Sequence, residues 1–473
     1  MRNKENIDLR AIWHPDLSRR RGPKYLQIIA AMAEDIASGD LPAGARLPPH
    51  RVLAWQLGLS PNTTSRAYAE GVKRALLRGE VGRGTFVRVP SSRPTGGEAG
   101  DLRRQGHGPV DLSRNLPLAG LAEPHVRRVL DEIARGPGLS AMLDDQTDAD
   151  LSRHAGAAAR WLALCGLEAA PEEIIATNGA QHGLFCTLMA LCRPGDLLLV
   201  EALSYAPLRG IADRLGLKLR AVAMDAEGLC PASLEETCCG TSPKALYLTP
   251  TLQTPTAATL SYERRRAIAR IARRHDLILI EDDVFGPLKP DRPVAIAVLA
   301  PERTIYVTSL SKCVAPGLRV GYLRAPGKLG PALRHAVNLS IWMTPPVTSE
   351  IAARLILDGT AAHLIAAQRH AAARRQRLAR RVLSDFDYAS DPHGLHIWLP
   401  LSAGWRADTF RLAAEGCGVL VAEAQRFAAH PADGPESVRL CLSHEPSETR
   451  LHDGLAAIAT LLRPPPLTDP MLV

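Results

Sequence analysis

The residue types that follow one predicted strand suit the joining of an amine to an aldehyde beside a phosphate. The run Thr304–Thr308 is apolar and β-branched, as in a buried strand, and Lys312 follows it closely. A lysine amine is a nucleophile toward carbonyl carbon. Hydroxyls and a guanidinium hold a phosphate dianion well, and Ser309, Ser311 and Arg319 flank this lysine. A Ser-x-Ser-Lys run alone is more often a solvated loop, but the Pro-Gly-Leu-Arg-Val-Gly that follows favours the chemical interpretation.

This segment resembles the cofactor-attachment segment of pyridoxal 5'-phosphate (PLP) enzymes with the aspartate-aminotransferase fold. The resemblance implies that Lys312 bonds to PLP and that the flanking serines and arginine hold its phosphate. PLP withdraws electrons well only if its ring nitrogen keeps a proton. Asp282 is the candidate partner of that nitrogen, because it ends the predicted strand Leu277–Ile280 and strand ends face the crevice of an open α/β sheet.

Other residues complete the predicted cofactor site. A turn after the predicted strand Ile174–Thr177 opens a helix, and free backbone amides at a helix N-terminus bind anions. The candidate phosphate ligands there are Gly179, Ala180 and Gln181. The resemblance implies that Tyr205 stacks on the PLP ring, the alternative being a packed core tyrosine. It also assigns Arg439 to the carboxylate of a substrate or effector, which suits the parallel donors of a guanidinium.

The first ninety residues predict a DNA-binding unit. They hold 15 lysines and arginines against 8 acidic residues, whereas the rest of the chain is nearly neutral, and a basic module favours a polyanionic partner. Predicted helices over 24–38, 51–57 and about 61–77 precede a glycine-rich hairpin over 79–87. This is the element order of a winged helix-turn-helix.

Two motifs resemble the GntR family of bacterial regulators, one over residues 44–54 and one in the wing over 82–87. Pro49 departs from the family pattern, because it replaces the serine that caps the second helix. The resemblance implies phosphate contacts from Arg46, Arg51 and the wing residue Arg83. It implies base contacts from the start of the third helix, which carries Asn62, Thr63, Thr64 and Arg66.

The predicted fold class is α/β, with a winged helix-turn-helix joined by a linker to a PLP-dependent, fold-type-I aminotransferase-like domain. Short apolar runs alternate with helical segments in the body, which is typical of a sheet covered on both faces. The predicted domains are 1–88 for DNA binding, 89–110 for a flexible linker and 111–473 for the PLP-binding body. Within the body we expect a large subdomain over about 111–345 and a small one over about 346–473.

Two departures from the aminotransferase pattern bear on activity. Thr254 stands where the family has the asparagine that bonds the cofactor's phenolic oxygen, and Phe285 stands where a tyrosine shares that task. Only one hydroxyl remains for this oxygen. We therefore expect transaminase activity to be weak or absent.

Together the resemblances place the chain in the MocR group of PLP-dependent regulators. This implies a homodimer that binds double-stranded operator DNA and senses PLP or an amino compound. One alternative is a catalytically active aminotransferase with an accessory DNA-binding domain. Another is a DNA-binding protein whose body only dimerises.

Composition excludes several other classes. No apolar run reaches the length that crosses a bilayer, and the polar N-terminus shows no secretory signal, so we expect no membrane partner. Nine cysteines without a Cys-x-x-Cys pair indicate reduced thiols in the cytoplasm. His393 and His396 lack a visible set of partner ligands, so no metal is predicted.

Overall fold

The computed structural model describes residues 13–17, 22–38, 40–42, 45–73, 76–80, 84–87, 108–144, 154–402 and 404–463. The chain divides into two compact units, residues 1–107 and 108–473. The predicted linker lies outside the described residues as far as residue 107. In the part of the chain that is described, no helix is long and apolar enough to cross a membrane.

The first unit is a small helical domain with a two-stranded hairpin. Its elements are α1 (Lys24–Ser38), α2 (His50–Gln56), α3 (Pro61–Lys73), β1 (Leu77–Glu80) and β2 (Gly84–Val87). β1 and β2 pair antiparallel, with Leu77 opposite Val87. The predicted third helix is therefore too long, because Leu77 starts the hairpin and packs in the core instead of ending the helix.

The core of this unit is centred on α1. Ile28, Ile29 and Met32 of this helix are fully or almost fully buried, whereas Leu26 is only partly buried. Pro49 precedes α2 without a side-chain cap, as its departure from the family pattern predicts. Tyr68 compensates locally, because its hydroxyl donates to the Pro48 carbonyl at 2.7 Å and fixes the turn before α2.

The second unit is built on a seven-stranded sheet with the order β4-β12-β11-β10-β9-β5-β6. These strands are β4 (Ile174–Thr177), β5 (Leu197–Glu201), β6 (Lys218–Val222), β9 (Ala245–Leu248), β10 (Ile278–Asp282), β11 (Thr304–Ser309) and β12 (Gly321–Arg324). The three strands predicted by range, at 174–177, 277–280 and 304–308, match β4, β10 and β11 to within two residues. β12 runs antiparallel to both of its neighbours, and the other pairs are parallel. The parallel strands end at one edge of the sheet, which brings their C-terminal residues together.

Helices cover both faces of this sheet, because its strands are apolar on both sides. The helices of this part of the chain are α4 (Glu123–Arg135), α5 (Leu139–Met142), α6 (Ala155–Leu164), α7 (Ala180–Leu191), α8 (Ala206–Arg214), α9 (Pro231–Cys239), α10 (Tyr262–Arg274), α11 (Ile296–Leu299), α12 (Gly330–Ile341) and α13 (Pro346–Leu357). Short 3-10 turns lie at Pro171–Glu173, Gly286–Leu288, Leu310–Lys312 and Pro316–Leu318. A small antiparallel pair is formed by β7 (Met224–Asp225) and β8 (Gly228–Leu229).

The C-terminal part has its own four-stranded sheet, in the order β13-β14-β17-β16. Its elements are α14 (Thr360–Val382), β13 (Ala389–Ser390), β14 (His396–Pro400), α15 (Ala407–Gly416), β15 (Val419–Leu420), β16 (Ala422–Glu423), β17 (Ser437–Cys441) and α16 (Glu448–Leu462), with 3-10 turns at Ala424–Arg426 and Pro431–Asp433. β3 (Val110–Asp111) pairs with β15, and Leu112 packs in the core of this part. The start of the body thus packs with the predicted small subdomain, because its strand partner lies there.

Candidate functional site

A cavity of about 350 Å³ lies at the edge where the parallel strands end. It contains most of the residues that the sequence proposes for the cofactor and the carboxylate. These are Ala180, Gln181, Tyr205, Thr254, Asp282, Ser309, Ser311, Lys312, Arg319 and Arg439. They come from segments spread over more than 250 residues, and the topology of the sheet brings them together.

Lys312 ends the 3-10 turn that directly follows β11, so its amine is carried into the cavity by a buried strand. Its Nζ donates to the backbone carbonyl of Asn115 at 2.5 Å and lies 5.3 Å from the centre of the Phe285 ring. Burial, followed by the positive charge of Arg439, lowers the pKa of Lys312 to about 8. A neutral amine, the nucleophilic form, is therefore accessible near neutral pH.

Asp282 is the last residue of β10 and is 7% exposed. The Tyr247 hydroxyl donates to Asp282 Oδ2 at 2.7 Å, from the neighbouring strand β9. Burial raises the pKa of Asp282 to about 6, so the group is mostly ionised at neutral pH. This fixed carboxylate can hold a proton on a ring nitrogen that faces it.

The start of α7 and Arg319 form an anion cradle. Gly179 has a φ of +85°, and a Cβ on it would lie 2.6 Å from Arg319 Nη2, so the close approach requires glycine. Arg319 Nη2 donates to the Asn178 carbonyl at 3.3 Å, which places the guanidinium beside the helix N-terminus. The free amides of the first helical turn, which includes Ala180 and Gln181, add positive potential. This donor set fits a phosphate dianion.

The two serines differ in environment. Ser309 is 1% exposed, and its hydroxyl accepts from the Ser311 amide at 3.3 Å, which caps the turn that carries the lysine. Ser311 is partly buried and lines the cavity, as Ser309 also does. Both hydroxyls thus lie where the sequence proposes them, and Ser309 has an additional role in shaping the lysine turn.

Tyr205 precedes α8 and lines the cavity wall. Its hydroxyl donates to Gln181 Oε1 at 3.0 Å, so it is linked to the cradle. Burial, with the nearby Asp282 carboxylate, raises the pKa of Tyr205 to about 12, and the phenol stays neutral. A neutral ring in the wall is compatible with stacking on a flat cofactor.

Arg439 lies on β17 and is 8% exposed. Its Nη1 donates to Thr254 Oγ1 at 3.0 Å, and its Nη2 donates to the Ser113 carbonyl at 2.7 Å. Its guanidinium carbon lies 4.6 Å from the centre of the Phe427 ring. The Thr254 hydroxyl, the one expected partner of a phenolic oxygen that remains, therefore already accepts from an arginine.

The segment that begins the body forms another wall of the cavity. The Asn115 carbonyl accepts from Lys312, and the Ser113 carbonyl accepts from Arg439. The Asn115 side-chain amide lies 3.1 Å from Nδ1 of His396, a ring whose pKa burial and the Arg439 charge lower to about 3. His396 Nε2 lies 3.1 Å from the Gln253 carbonyl, so the neutral ring donates there and accepts from Asn115.

The first unit presents two of the predicted phosphate contacts on its surface. Arg46 and Arg51 are exposed, and Arg46 lies against the hairpin, with its Nε 3.1 Å from the position of a Cβ on Gly84. Arg66 is exposed, and its guanidinium stacks 4.1 Å above the ring of Tyr25 in α1. Arg83 lies outside the described residues.

The predicted base contacts separate into two groups. Asn62 is exposed at the start of α3, and Thr63 is partly buried, with its hydroxyl 2.9 Å from that of Ser60. Thr64 is fully buried, and its hydroxyl donates to the His50 carbonyl at 2.8 Å. The prediction for Thr64 is wrong, because this side chain ties α3 to α2 and cannot reach a base.

Sequence reasoning missed several cavity residues. Tyr247, Asn115, Arg426 and Phe427 line the cavity without having been predicted. Tyr247 could have been proposed from the sequence, because it lies in an apolar run that forms β9, the neighbour of the strand that ends at Asp282. The other three lie outside strands and α-helices, and nothing in their local sequence indicates a site.

A separate cluster brings Glu235, Cys239 and His275 together, with their potential ligand atoms within 4.8 Å of one another. Glu235 and Cys239 are four residues apart on α9. However, Glu235 Oε1 already lies 2.8 Å from His275 Nε2 and 2.9 Å from Arg274 Nη1. These contacts make the cluster an ion-pair network between α9 and α10.

Comparison with known proteins identifies the body of the chain. The family model for aminotransferases of class I and II matches residues 110–454. The chain belongs to the class I and II aminotransferase family. The model for bacterial regulatory proteins of the gntR family matches residues 24–87, so this family member also carries a GntR-type helix-turn-helix domain.

Relatives that match over most of this chain are named as transcriptional regulators. The HTH-type transcriptional regulator YdeF of Bacillus subtilis is 28% identical over 460 residues, which cover 95% of this chain and 96% of the relative. The probable rhizopine catabolism regulatory protein MocR of Rhizobium meliloti is 28% identical over 434 residues, or 84% and 85% of the two chains.

A solved archaeal alanine:glyoxylate aminotransferase superposes with a TM-score of 0.70 at 23% identity, over 77% of this chain and 93% of that one. This likeness shows the fold of the body. The predicted fold class and the resemblance to MocR-type proteins are confirmed.

Proposed function

We propose that this protein is a PLP-binding transcriptional regulator, which binds DNA through its first unit and senses PLP or an amino compound through its body. The names of its relatives and the helix-turn-helix match support the regulatory part. The charged residues of the cavity support the cofactor part. By the same reasoning we propose that it acts in the cytoplasm as a homodimer on double-stranded operator DNA.

Most charged groups of the cavity have a role in this proposal. Lys312 attaches the cofactor, Asp282 holds the proton of its ring nitrogen, and Tyr247 keeps Asp282 in place by a hydrogen bond. The cradle at Gly179, Ala180 and Gln181, with Arg319, Ser309 and Ser311, binds the phosphate, Tyr205 stacks on the ring, and Arg439 binds an effector carboxylate. When bound, PLP supplies an aldehyde carbon that accepts an amine and a ring that withdraws electrons.

One observation carries the sensing part. The two groups that would engage cofactor and effector, Lys312 and Arg439, both donate to backbone carbonyls of the same short segment, at Asn115 and Ser113. That segment follows directly on the chain that leads from the DNA-binding unit. Attachment of the lysine and binding of a carboxylate compete for these donors. Whether Lys312 and Arg439 bind this segment therefore depends on the contents of the cavity. Such a dependence is required if a ligand in the cavity is to change DNA binding.

The residue types near the proposed cofactor support weak or absent transamination. Thr254 offers one hydroxyl in place of the usual asparagine, and Phe285 offers none in place of the usual tyrosine, so the phenolic oxygen of the cofactor would lack its usual donors. The alternative of an active aminotransferase is favoured by the completeness of the lysine, aspartate and arginine set. A measurement of transaminase turnover distinguishes the regulator from the active aminotransferase.

The deciding experiment adds a panel of amino compounds to the PLP-loaded full chain. The visible absorption band reports binding, and an assay for pyridoxamine 5'-phosphate reports turnover. We expect a band shift without sustained pyridoxamine phosphate formation. Sustained conversion would support the aminotransferase alternative, and absence of any PLP-dependent band would refute the cofactor part.

A further inference from the structure

Arg426 gives the cavity a guanidinium that the proposed function does not use. It ends the 3-10 turn Ala424–Arg426, lines the cavity next to Phe427 and is exposed to solvent. Within the described residues, its side chain has neither a hydrogen bond nor an ion pair. It is therefore available to a ligand.

The other cations of the lining already have positions and partners. Lys312 and Arg439 donate to the carbonyls of Asn115 and Ser113, and Arg319 donates to the Asn178 carbonyl beside the phosphate cradle. Among the described residues that line the cavity, the acid is Asp282, which accepts from Tyr247. The cavity lining thus carries more positive than negative charge. Among these cations, Arg426 is the one without a partner in the described residues.

Three hydrogen bonds fix the backbone that directly follows Arg426. The Phe427 carbonyl accepts from the Ser204 amide at 2.8 Å, and the Ala429 amide donates to the Ala202 carbonyl at 3.1 Å. Arg209 Nη1 donates to the Ala428 carbonyl at 2.9 Å. A cation mounted on a rigid turn loses less conformational freedom when it binds than one on a loose loop.

Arg426 is next in sequence to the aromatic residue that contacts Arg439, the predicted carboxylate arginine. The Arg439 guanidinium stacks on the Phe427 ring at 4.6 Å, and Arg426 is the residue before that phenylalanine. A ligand whose first carboxylate reaches Arg439 therefore lies at the side of the cavity that Arg426 also lines. A carboxylate suits the parallel donors of a guanidinium better than a neutral amide does.

We propose that Arg426 binds a second acidic group of the effector, which is then an amino acid with a side-chain carboxylate, of the size of aspartate or glutamate. This rests on the proposed function, in which Arg439 binds the first carboxylate. Arg426 is the specificity-determining residue, because it distinguishes a charged side chain from a neutral one of the same shape.

The test compares charged and neutral isosteres on the PLP-loaded full chain. L-glutamate, L-glutamine, L-aspartate and L-asparagine are titrated separately, and the visible band gives each Kd. We expect the acids to bind at least about tenfold more tightly than their amides, the factor for roughly 1.4 kcal/mol. Arg426→Gln reduces this preference to within about twofold and leaves the glutamine Kd unchanged. Arg406→Gln, at an exposed arginine outside the cavity lining, keeps the preference.

Three outcomes overturn the proposal while the proposed function stands. Wild-type protein could bind glutamine as tightly as glutamate, or Arg426→Gln could keep the preference. The variant could also weaken glutamine and glutamate equally, which would assign Arg426 to the first carboxylate. If none of the four amino acids shifts the band, a side-chain acid is not what the cavity selects, and the wider panel of amino compounds then decides whether the proposed function also fails.

Discussion

The arginines proposed to bind DNA and the arginine proposed to bind a carboxylate differ in burial. In the DNA-binding unit, Arg46 and Arg51 are exposed on the surface. In the body, Arg439 is buried, and Thr254 and the Ser113 carbonyl fix its position. A DNA backbone offers many equivalent phosphates, so exposed side chains bind it without exact placement. A small molecule offers one carboxylate, and a guanidinium that is fixed beforehand binds it more selectively.

Because of this difference in burial, substitutions of the two kinds of arginine have different effects. Removing an exposed arginine costs one phosphate contact and little stability. Removing a buried one leaves polar groups without partners. Substitutions in one unit can therefore be compared with substitutions in the other.

Replacing Lys312 with alanine has the largest expected effect. The visible band of bound PLP disappears completely, because no other amine in the described cavity can attach the cofactor. The variant still binds DNA, since the helix-turn-helix is a separate unit, but amino compounds no longer change its Kd for DNA. Absorbance and fluorescence anisotropy measure the two properties. Lys218→Ala, at an exposed lysine of β6, is the control and retains the band.

Replacing Arg51 with alanine weakens DNA binding by about tenfold and lowers the slope of log Kd against log salt by about 1, because one phosphate contact is lost. The PLP band is unchanged. A salt titration of DNA binding measures the slope. An unchanged slope would mean that Arg51 does not contact phosphate.

Two neighbouring positions on α3 give the next contrast. Thr64→Val removes a buried hydroxyl that donates to the His50 carbonyl and costs about 1–2 kcal/mol of stability in the first unit. Asn62→Ala leaves the melting temperature unchanged and relaxes base preference at one position of the site. Thermal unfolding and binding to single-base variants of the duplex distinguish the two. Equal melting temperatures for both variants would contradict the structural role of Thr64.

The smallest expected effect is a shift in pH dependence. The pKa of Lys312 is lowered to about 8, so the neutral amine, and with it the rate of PLP loading, increases as pH rises through 8. Arg439→Gln removes a positive charge that contributes to this lowering, so the midpoint moves to higher pH. Loading rates of the cofactor-free protein between pH 6.5 and 9.5 measure the midpoint. A midpoint that stays at pH 8 in the variant would mean that burial alone lowers the pKa of Lys312.

Most strands of the main sheet could be predicted because they are short apolar runs. The site could be predicted because strand ends converge in such a sheet, and Asp282 and Lys312 follow neighbouring strands. The antiparallel direction of β12 could not be predicted, because an apolar run does not show whether its strand runs parallel or antiparallel to its neighbours.

Contacts across long chain separations also escaped prediction. The hydrogen bond between Arg439 and the Ser113 carbonyl joins residues 326 positions apart. The burial of Thr64 depends on the packing of α2 against α3, and its local sequence is that of an exposed helix start. The free guanidinium of Arg426 depends on which partners surround it in three dimensions, which no motif records.

The central claim is that the contents of the cavity change DNA binding. The most direct measurement is the Kd of the PLP-loaded full chain for a duplex that it has selected from a random-sequence library, at fixed salt, with and without saturating L-glutamate. We predict a change of at least about fivefold in the wild type and none in Lys312→Ala. An unchanged Kd in wild-type protein whose visible band shows bound glutamate would contradict the account.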